Sequence, residues 1–369
     1  MSAGASADGE PPDVLDAIDA WTRQGDRVAL ATVVDTKRSA PQPRGTKMAV
    51  NDRSAVVGAV SGGCVEGAVV EVAEQILAGA APRLLHYGIA DEEAWDVGLP
   101  CGGEISIWVE AYGPASLQAR FTECARRGER TAIVTVMEGN QPGAKLLVGV
   151  EGAPEGTLGD PRLDAAALTL AREALWTEGR EFLEHEGVKL FIDVAAPPPR
   201  LVIVGAVDFA AQLAAVAKLA GWRPFVVDPR TRFATAERFP AAEQVIAAWP
   251  EEGFAQLEPF DPATAIAVLT HDPKLDDAAL VAALASRAGY IGAMGSRRAQ
   301  ARRRERLIAA GVEPAQLERI AAPIGLDFGA SSAAETALSI MGEIVAVRHG
   351  RSGGRLADAQ GSIHEPVAA

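Results

Sequence analysis

The scarce reactive side chains of this chain are three cysteines, Cys64, Cys101 and Cys124, and five histidines. Two of the cysteines stand among glycines. Ser61-Gly62-Gly63-Cys64-Val65-Glu66 follows an apolar run at Val56–Val60. It precedes a helical pattern in which Val65, Val69, Val72 and Ile76 share one face. Glycines at a helix entrance let unpaired backbone N–H groups approach an anion closely. The same helix end favours thiolate at Cys64, which suits sulfur or soft-metal chemistry. A tight turn around a small buried cysteine would use the same residues, and spacing leaves both readings open. Cys101 sits in Gly98-Leu99-Pro100-Cys101-Gly102-Gly103. That composition suits a fixed turn with exposed backbone, whether functional or merely structural. Cys124 shares a helical pattern with Leu117 and Phe121 and reads as core. Lys37, Arg38, Arg44 and Lys47 surround a proline-containing loop, where they could neutralise a phosphate or simply be solvated.

A second group of candidates lies further along. In Leu201-Val202-Ile203-Val204-Gly205-Ala206-Val207-Asp208-Phe209-Ala210, Gly205 and Ala210 occupy the first and third positions of a dinucleotide-binding turn. The middle position is Val207, whose side chain would obstruct a pyrophosphate. Asp228 ends the next apolar run, where an acid would bind ribose hydroxyls. His271 beside Asp272 could form an acid–base pair. Ser296 and Arg297 at a helix start could bind phosphate. Together these allow a rival reading, an NAD(P)-dependent oxidoreductase with His271 as proton donor, against which Val207 counts. Arg302 to Arg306 reads as a solvated helix face.

The elements that would position these residues fall into two regions separated by Pro197-Pro198-Pro199, a stiff spacer. Residues 14–195 contain a weak internal repeat. Val28–Val34 matches Thr131–Met137, Gly45-Thr46-Lys47-Met48 matches Gly143-Ala144-Lys145-Leu146, and Gly58 matches Gly156. Helical patterns at Val65–Leu77 and Leu163–Leu175 follow, then strand-like runs at Ile105–Val109 and Val188–Ile192. Only the first copy carries the basic loop, the Ser61–Cys64 turn and the Cys101 segment. Residues 200–349 alternate apolar runs (Leu201–Val204, Phe225–Val227, Ile266–Leu269, Tyr290–Gly292) with helical patterns. The fold class expected is α/β: an N-terminal α+β domain with an internal duplication, then a Rossmann-like, doubly wound parallel sheet. Residues 350–369 are expected to form a disordered tail.

The chain of 369 residues is 48% hydrophobic, ample for two cores, and its formal net charge is −14. That acidity argues against nucleic acid or an anionic membrane surface as partner. No apolar run reaches the ~20 residues of a membrane span. An odd, low cysteine count argues against a disulfide scaffold and for a reducing, cytoplasmic setting. No spacing matches a zinc site, and no metal ligands are expected.

The chain resembles the XdhC/CoxI family of xanthine dehydrogenase accessory proteins. The resemblance rests on Pro41-Gln42-Pro43-Arg44-Gly45-Thr46-Lys47-Met48, the Ser61–Glu66 turn and Gly98–Gly103 in the first region. In the second it rests on Val227-Asp228-Pro229-Arg230, Leu269–Asp272, Tyr290–Arg297, Ile324-Gly325-Leu326-Asp327 and Ala337–Ile340. It implies a maturation factor that binds the molybdopterin cofactor and shelters it during sulfuration by a cysteine desulfurase. Such a factor then hands the cofactor to a molybdenum hydroxylase. The reactive residues expected are Cys64, Cys101 and His271. Arg44, Lys47, Ser61, Gly62, Gly63, Glu66, Gly102, Gly205, Asp228, Asp272, Ser296 and Arg297 would be cofactor contacts. The sequence departs from the family at Gly205-Ala206-Val207-Asp208-Phe209, where members carry Gly-Ala-Gly-His. A scaffold that binds a hydroxylase or desulfurase without cofactor is a third reading. A homodimer is expected, since two-fold homo-oligomers are common.

Overall fold

A computed structural model describes residues 13–37, 42–88, 103–177 and 179–358. The chain divides into two compact units, residues 1–197 and 198–369.

The first unit is a duplication in three dimensions. Its first copy runs α1 (Val14–Arg23), β1 (Val28–Lys37), β2 (Lys47–Asn51), β3 (Val56–Gly58), α2 (Glu66–Leu77), β4 (Arg83–Tyr87), β5 (Glu104–Tyr112). The second runs α3 (Leu117–Arg126), β6 (Thr131–Glu138), β7 (Lys145–Gly149), β8 (Glu155–Thr157), α4 (Pro161–Thr177), β9 (Glu181–His185), β10 (Val188–Ala195). The sheets have the orders β3-β2-β1-β5-β4 and β8-β7-β6-β10-β9, the same pattern twice. The glycine match has a physical cause. Gly58 and Gly156 have φ of 83° and 91°, and a Cβ on either would come within 2.4 Å of the Lys47 or Lys145 carbonyl oxygen. Asp13 and Ser116 cap the two leading helices through the amides of Leu15 and Ala119.

In each copy one helix buries its apolar stripe on one face of its own sheet, through Val69, Ala73 and Ile76 in α2 and Ala167, Ala171 and Ala174 in α4. Between the copies lies a smaller cluster of Val34, Trp108, Met137 and Phe191. Two buried ion pairs run beside it and are exchanged reciprocally. Lys47 of the first copy reaches Asp193 of the second at 2.6 Å, and Lys145 of the second reaches Glu110 of the first at 2.9 Å. The acids are equivalent, since Glu110 lies opposite Leu30 as Asp193 lies opposite Ile133. Burial pushes the Asp193 carboxyl up, but the charges of Lys47 and Arg180 hold it below the usual range.

The second unit runs β11 (Arg200–Val204), α5 (Asp208–Leu219), β12 (Arg223–Val227), β13 (Gln244–Ile246), α6 (Pro250–Ala255), β14 (Thr264–Val268). It continues with α7 (Pro273–Ala285), β15 (Tyr290–Ala293), α8 (Arg297–Ala309), β16 (Ile320–Ala321) and α9 (Ala333–Arg348). The six strands are parallel in the order β13-β12-β11-β14-β15-β16, so the winding reverses between β11 and β14. Apolar clusters cover both faces, which is why its central strands are continuous apolar runs. Among the described residues no helix is long and apolar enough to cross a membrane. Beyond Gly350 there is a short 3₁₀ turn at Leu356–Asp358. Residues 359–369 of the expected tail lie outside the described residues.

Removing one partner of a buried ion pair strands the other. Lys145→Met should therefore destabilise the protein by about 3–5 kcal/mol in chemical denaturation. Adding Glu110→Met should recover most of that loss. Equal losses in the single and double variants would contradict a role for the pair.

Candidate functional site

The strand directions put the first copy's additions together. β1, β3 and β4 end, and β2 and β5 begin, at one end of the sheet. The connections at that end are 38–46 with Arg44, 59–65 with Cys64, and 88–103 with Cys101. In the second copy the last connection is the two-residue turn Glu186-Gly187, with φ of 49° and 78° as a type I′ hairpin requires. Cys101 and Gly102 themselves lie outside the described residues.

The turn expected to cradle an external anion already holds one. Glu66 Oε1 accepts the amides of Val60, Ser61 and Gly62 at 3.1, 2.8 and 3.0 Å. Its Oε2 accepts the amides of Gly63 and Val65 at 2.9 and 3.2 Å and the Ser61 hydroxyl at 2.6 Å. Gly62 and Gly63, with φ of 85° and 117°, supply the backbone that makes this convergence possible. Burial pushes the Glu66 carboxyl up, but the Ser61 hydroxyl and the amides hold it at about 2. Ser61, Gly62, Gly63 and Glu66 thus satisfy one another, which corrects the expectation of an open cradle. In the second copy Asp164 does a reduced version of the same work, accepting the Leu158 amide at 2.7 Å and the Thr157 hydroxyl at 2.8 Å. Cys64 is half-buried beside this turn and packs on the core between α2 and its sheet.

The basic loop is likewise engaged. Lys47 is spent on Asp193, so it is no surface cation. Arg44 pairs with Asp35 at 2.6 Å, and Lys37 with Glu104 at 3.3 Å. Arg44 Nε is buried with no partner. At the same end, between the two copies, lies a cavity of about 480 Å³.

In the second unit the expected residues follow β11, β12, β14 and β15, and several of their polar groups are occupied. Asp228, 1% exposed, accepts the Ala206 amide and Arg230 Nη2 on Oδ2 at 2.7 and 2.6 Å. Its Oδ1 accepts the Arg230 amide and Nε at 2.8 and 2.9 Å. Buried and already holding four donors, this carboxylate is engaged within the fold where a ribose was expected. Burial pushes this carboxyl up, and Arg230 with the Ala206 amide holds it below the usual range. Gly205 is required by packing, since a Cβ there would lie 2.6 Å from the Thr270 methyl. Val207 precedes α5, and Arg238 spans its entrance by contacting the Ala206 carbonyl and Asp208. His271 is exposed, and Asp272 caps α7 through the Lys274 amide at 2.9 Å. Among the described residues these two side chains share no hydrogen bond, so the acid–base pair is not formed. Ser296 caps α8 through the Ala299 amide at 3.3 Å, and Arg297 begins that helix in solvent. Arg303, expected on a solvated helix face, is instead buried and pairs at 2.6 Å with Asp276, which also accepts the Thr270 hydroxyl. Nothing in local spacing joins residues so far apart.

Residues 21–88 and 124–186 match the model of the XdhC and CoxI family, and residues 201–344 match that of the XdhC Rossmann domain. The chain belongs to this family. It is 27% identical over 337 residues to a protein of Bacillus subtilis named as a probable xanthine dehydrogenase subunit, covering 90% of this chain and 96% of that one. It is 27% identical over 325 residues to the molybdenum cofactor insertion chaperone PaoD of Escherichia coli, covering 88% and 84%. A crystal structure described as a xanthine dehydrogenase from Bacillus halodurans shares the fold, with a TM-score of 0.61 at 22% identity over 94% of this chain and 98% of that one.

A depressed carboxyl stabilises the fold above its ordinary pKa and stops doing so as pH falls through the folded value. Glu66→Gln should cost about 1–2 kcal/mol at neutral pH, allowing for solvent screening. The gap should be full above 4.5 and close as pH falls towards about 2. A gap independent of pH in paired thermal melts would contradict the assigned bonding.

Proposed function

We propose that this protein is a molybdenum-cofactor maturation factor. It binds the molybdopterin cofactor, protects it during sulfuration, and delivers it to a hydroxylase of the xanthine dehydrogenase type. The observation that carries this reading is similarity along nearly the whole chain to a relative named as a molybdenum cofactor insertion chaperone. The gathering of all three single-copy additions at one sheet end supports it. A scaffold would need no such asymmetry between duplicated halves, and loops on a rigid frame are where sites are built.

The residues present fit the cofactor selectively. The Ser61–Gly63 amides do not suit its phosphate, because Glu66 fills them. Arg44, whose Nε is buried without a partner, is proposed as a cation that meets the phosphate. Cys64 and Cys101 are the soft ligands near which a metal–sulfur centre would lie. When bound, the cofactor supplies the molybdenum and dithiolene chemistry that the client uses. This chain's residues hold it and exclude water. The proposed partners are a cysteine desulfurase and the hydroxylase, and the proposed setting is the cytoplasm, given the low, odd cysteine count. The Rossmann-type sheet alone favours the dehydrogenase reading, and the engaged Asp228 and the Arg238-spanned α5 entrance count against it.

The test is reconstitution of a cofactor-free hydroxylase with protein purified from cofactor-producing cells. Wild type should restore activity. The double variant Cys64→Ala/Cys101→Ala should restore at least tenfold less. Full activation by the double variant would remove the cysteines from the proposal.

A further inference from the structure

Six arginines and no lysine stand on α8, in a chain whose net charge is −14. The fold engages three of them. Arg303 is buried on Asp276 at 2.6 Å, Arg306 holds Asp277 at 2.6 and 2.9 Å, and Arg304 reaches Glu318 at 3.1 Å. The other three, Arg297, Arg298 and Arg302, are exposed. Among the described residues none of their guanidiniums has an ion pair or a hydrogen bond.

Helical periodicity gathers these groups on one face. Arg298, Ala301, Arg302 and Glu305 lie opposite Arg303 and Leu307, which point inward. Ile308, 44% exposed, lies beside them one turn further on. The placement is unfavourable for the helix itself. Arg297 and Arg298 occupy the first turn, where the helix dipole opposes cations. Arg298 and Arg302 are four residues apart, so like charges face each other along the surface. An arrangement that the helix gains nothing from points outward, to a partner.

The face selects that partner. Guanidiniums meet carboxylates through paired parallel hydrogen bonds, and arginine is enriched in protein interfaces where lysine is depleted. Ala301 and Ile308 set apolar surface among the charges, which an apolar side chain would cover. Glu305 interrupts the row of cations, so an unbroken line of phosphates would meet a like charge there. The chain's own charge also opposes a dense polyanion more than a short acidic segment.

We propose that the outer face of α8 docks an acidic amphipathic segment of a partner protein. Its carboxylates meet Arg298 and Arg302, and an apolar residue beside them covers Ala301 and Ile308. The proposal concerns the second unit alone and holds whether or not the chain carries the cofactor.

The probe is a fluorescein-labelled helical peptide with two glutamates four residues apart and a leucine beside them. It is titrated into the full chain and followed by anisotropy. Wild type should bind it saturably, with Kd rising about tenfold as ionic strength goes from about 0.05 to about 0.5 M. Arg297→Gln/Arg298→Gln/Arg302→Gln should raise Kd about tenfold or more without lowering the melting temperature. Ile308→Ser should raise it about threefold, which separates an amphipathic partner from a purely electrostatic one. Arg120→Gln, at an exposed arginine of the first unit, should leave it unchanged. The peptide with glutamine for glutamate should not bind. Duplex DNA and vesicles of phosphatidylcholine with phosphatidylserine are titrated in parallel. Tighter binding of either through the same three arginines overturns the proposal. Salt-sensitive self-association of the chain that the triple variant abolishes overturns it too. So does peptide binding that is absent from wild type or unchanged in the triple variant.

Discussion

Two lysines that cross between duplicated halves fix the geometry of the first unit. Lys47 and Lys145 each leave their own copy to meet a buried carboxylate of the other. Charges so enclosed add little net stability, because desolvation offsets much of their attraction. Their consequence is registry, since any slip between the copies would leave an uncompensated charge in the interior. Correct registry sets the β9–β10 hairpin against the loop-bearing end of the first sheet. Residues of both copies line the cavity between them.

The same pattern of internal pairing explains why several expected ligand contacts serve the fold. Glu66 gathers five amides and a hydroxyl, and Asp228 gathers four donors. Each does what an external anion or ribose would have been recruited to do. Duplication then lets one copy keep the scaffold while the other varies. The second copy closes its sheet end with Glu186-Gly187, whereas the first carries residues 88–103 there. The additions peculiar to one copy are accordingly concentrated at one end of its sheet.

Much of this was legible in the sequence where the determinant is local. The duplication showed in Gly58 and Gly156 because the backbone approach forbids a Cβ at both. The Rossmann-like sheet showed in its buried central strands, while β13 and β16, with three and two residues, were too short to be read as apolar runs. The role of Lys47 was hidden because Asp193 lies 146 positions away. Glu66 is a different case. Its partners lie within six residues, and a carboxylate one residue inside a helix after two glycines was a readable sign of self-capping. Asp228 was equally local, with Arg230 two residues on. In both, the ligand reading prevailed because the motif fixes where donors converge, whereas the identity of the acceptor is settled only by side-chain geometry.

The most direct measurement is the molybdenum and pterin content of full-length protein purified from cells that make the cofactor. A maturation factor should carry both in a fixed, near-equal ratio, at a substantial fraction of the protein present. Protein that carries neither, from cells whose hydroxylases are fully loaded, would contradict the proposal.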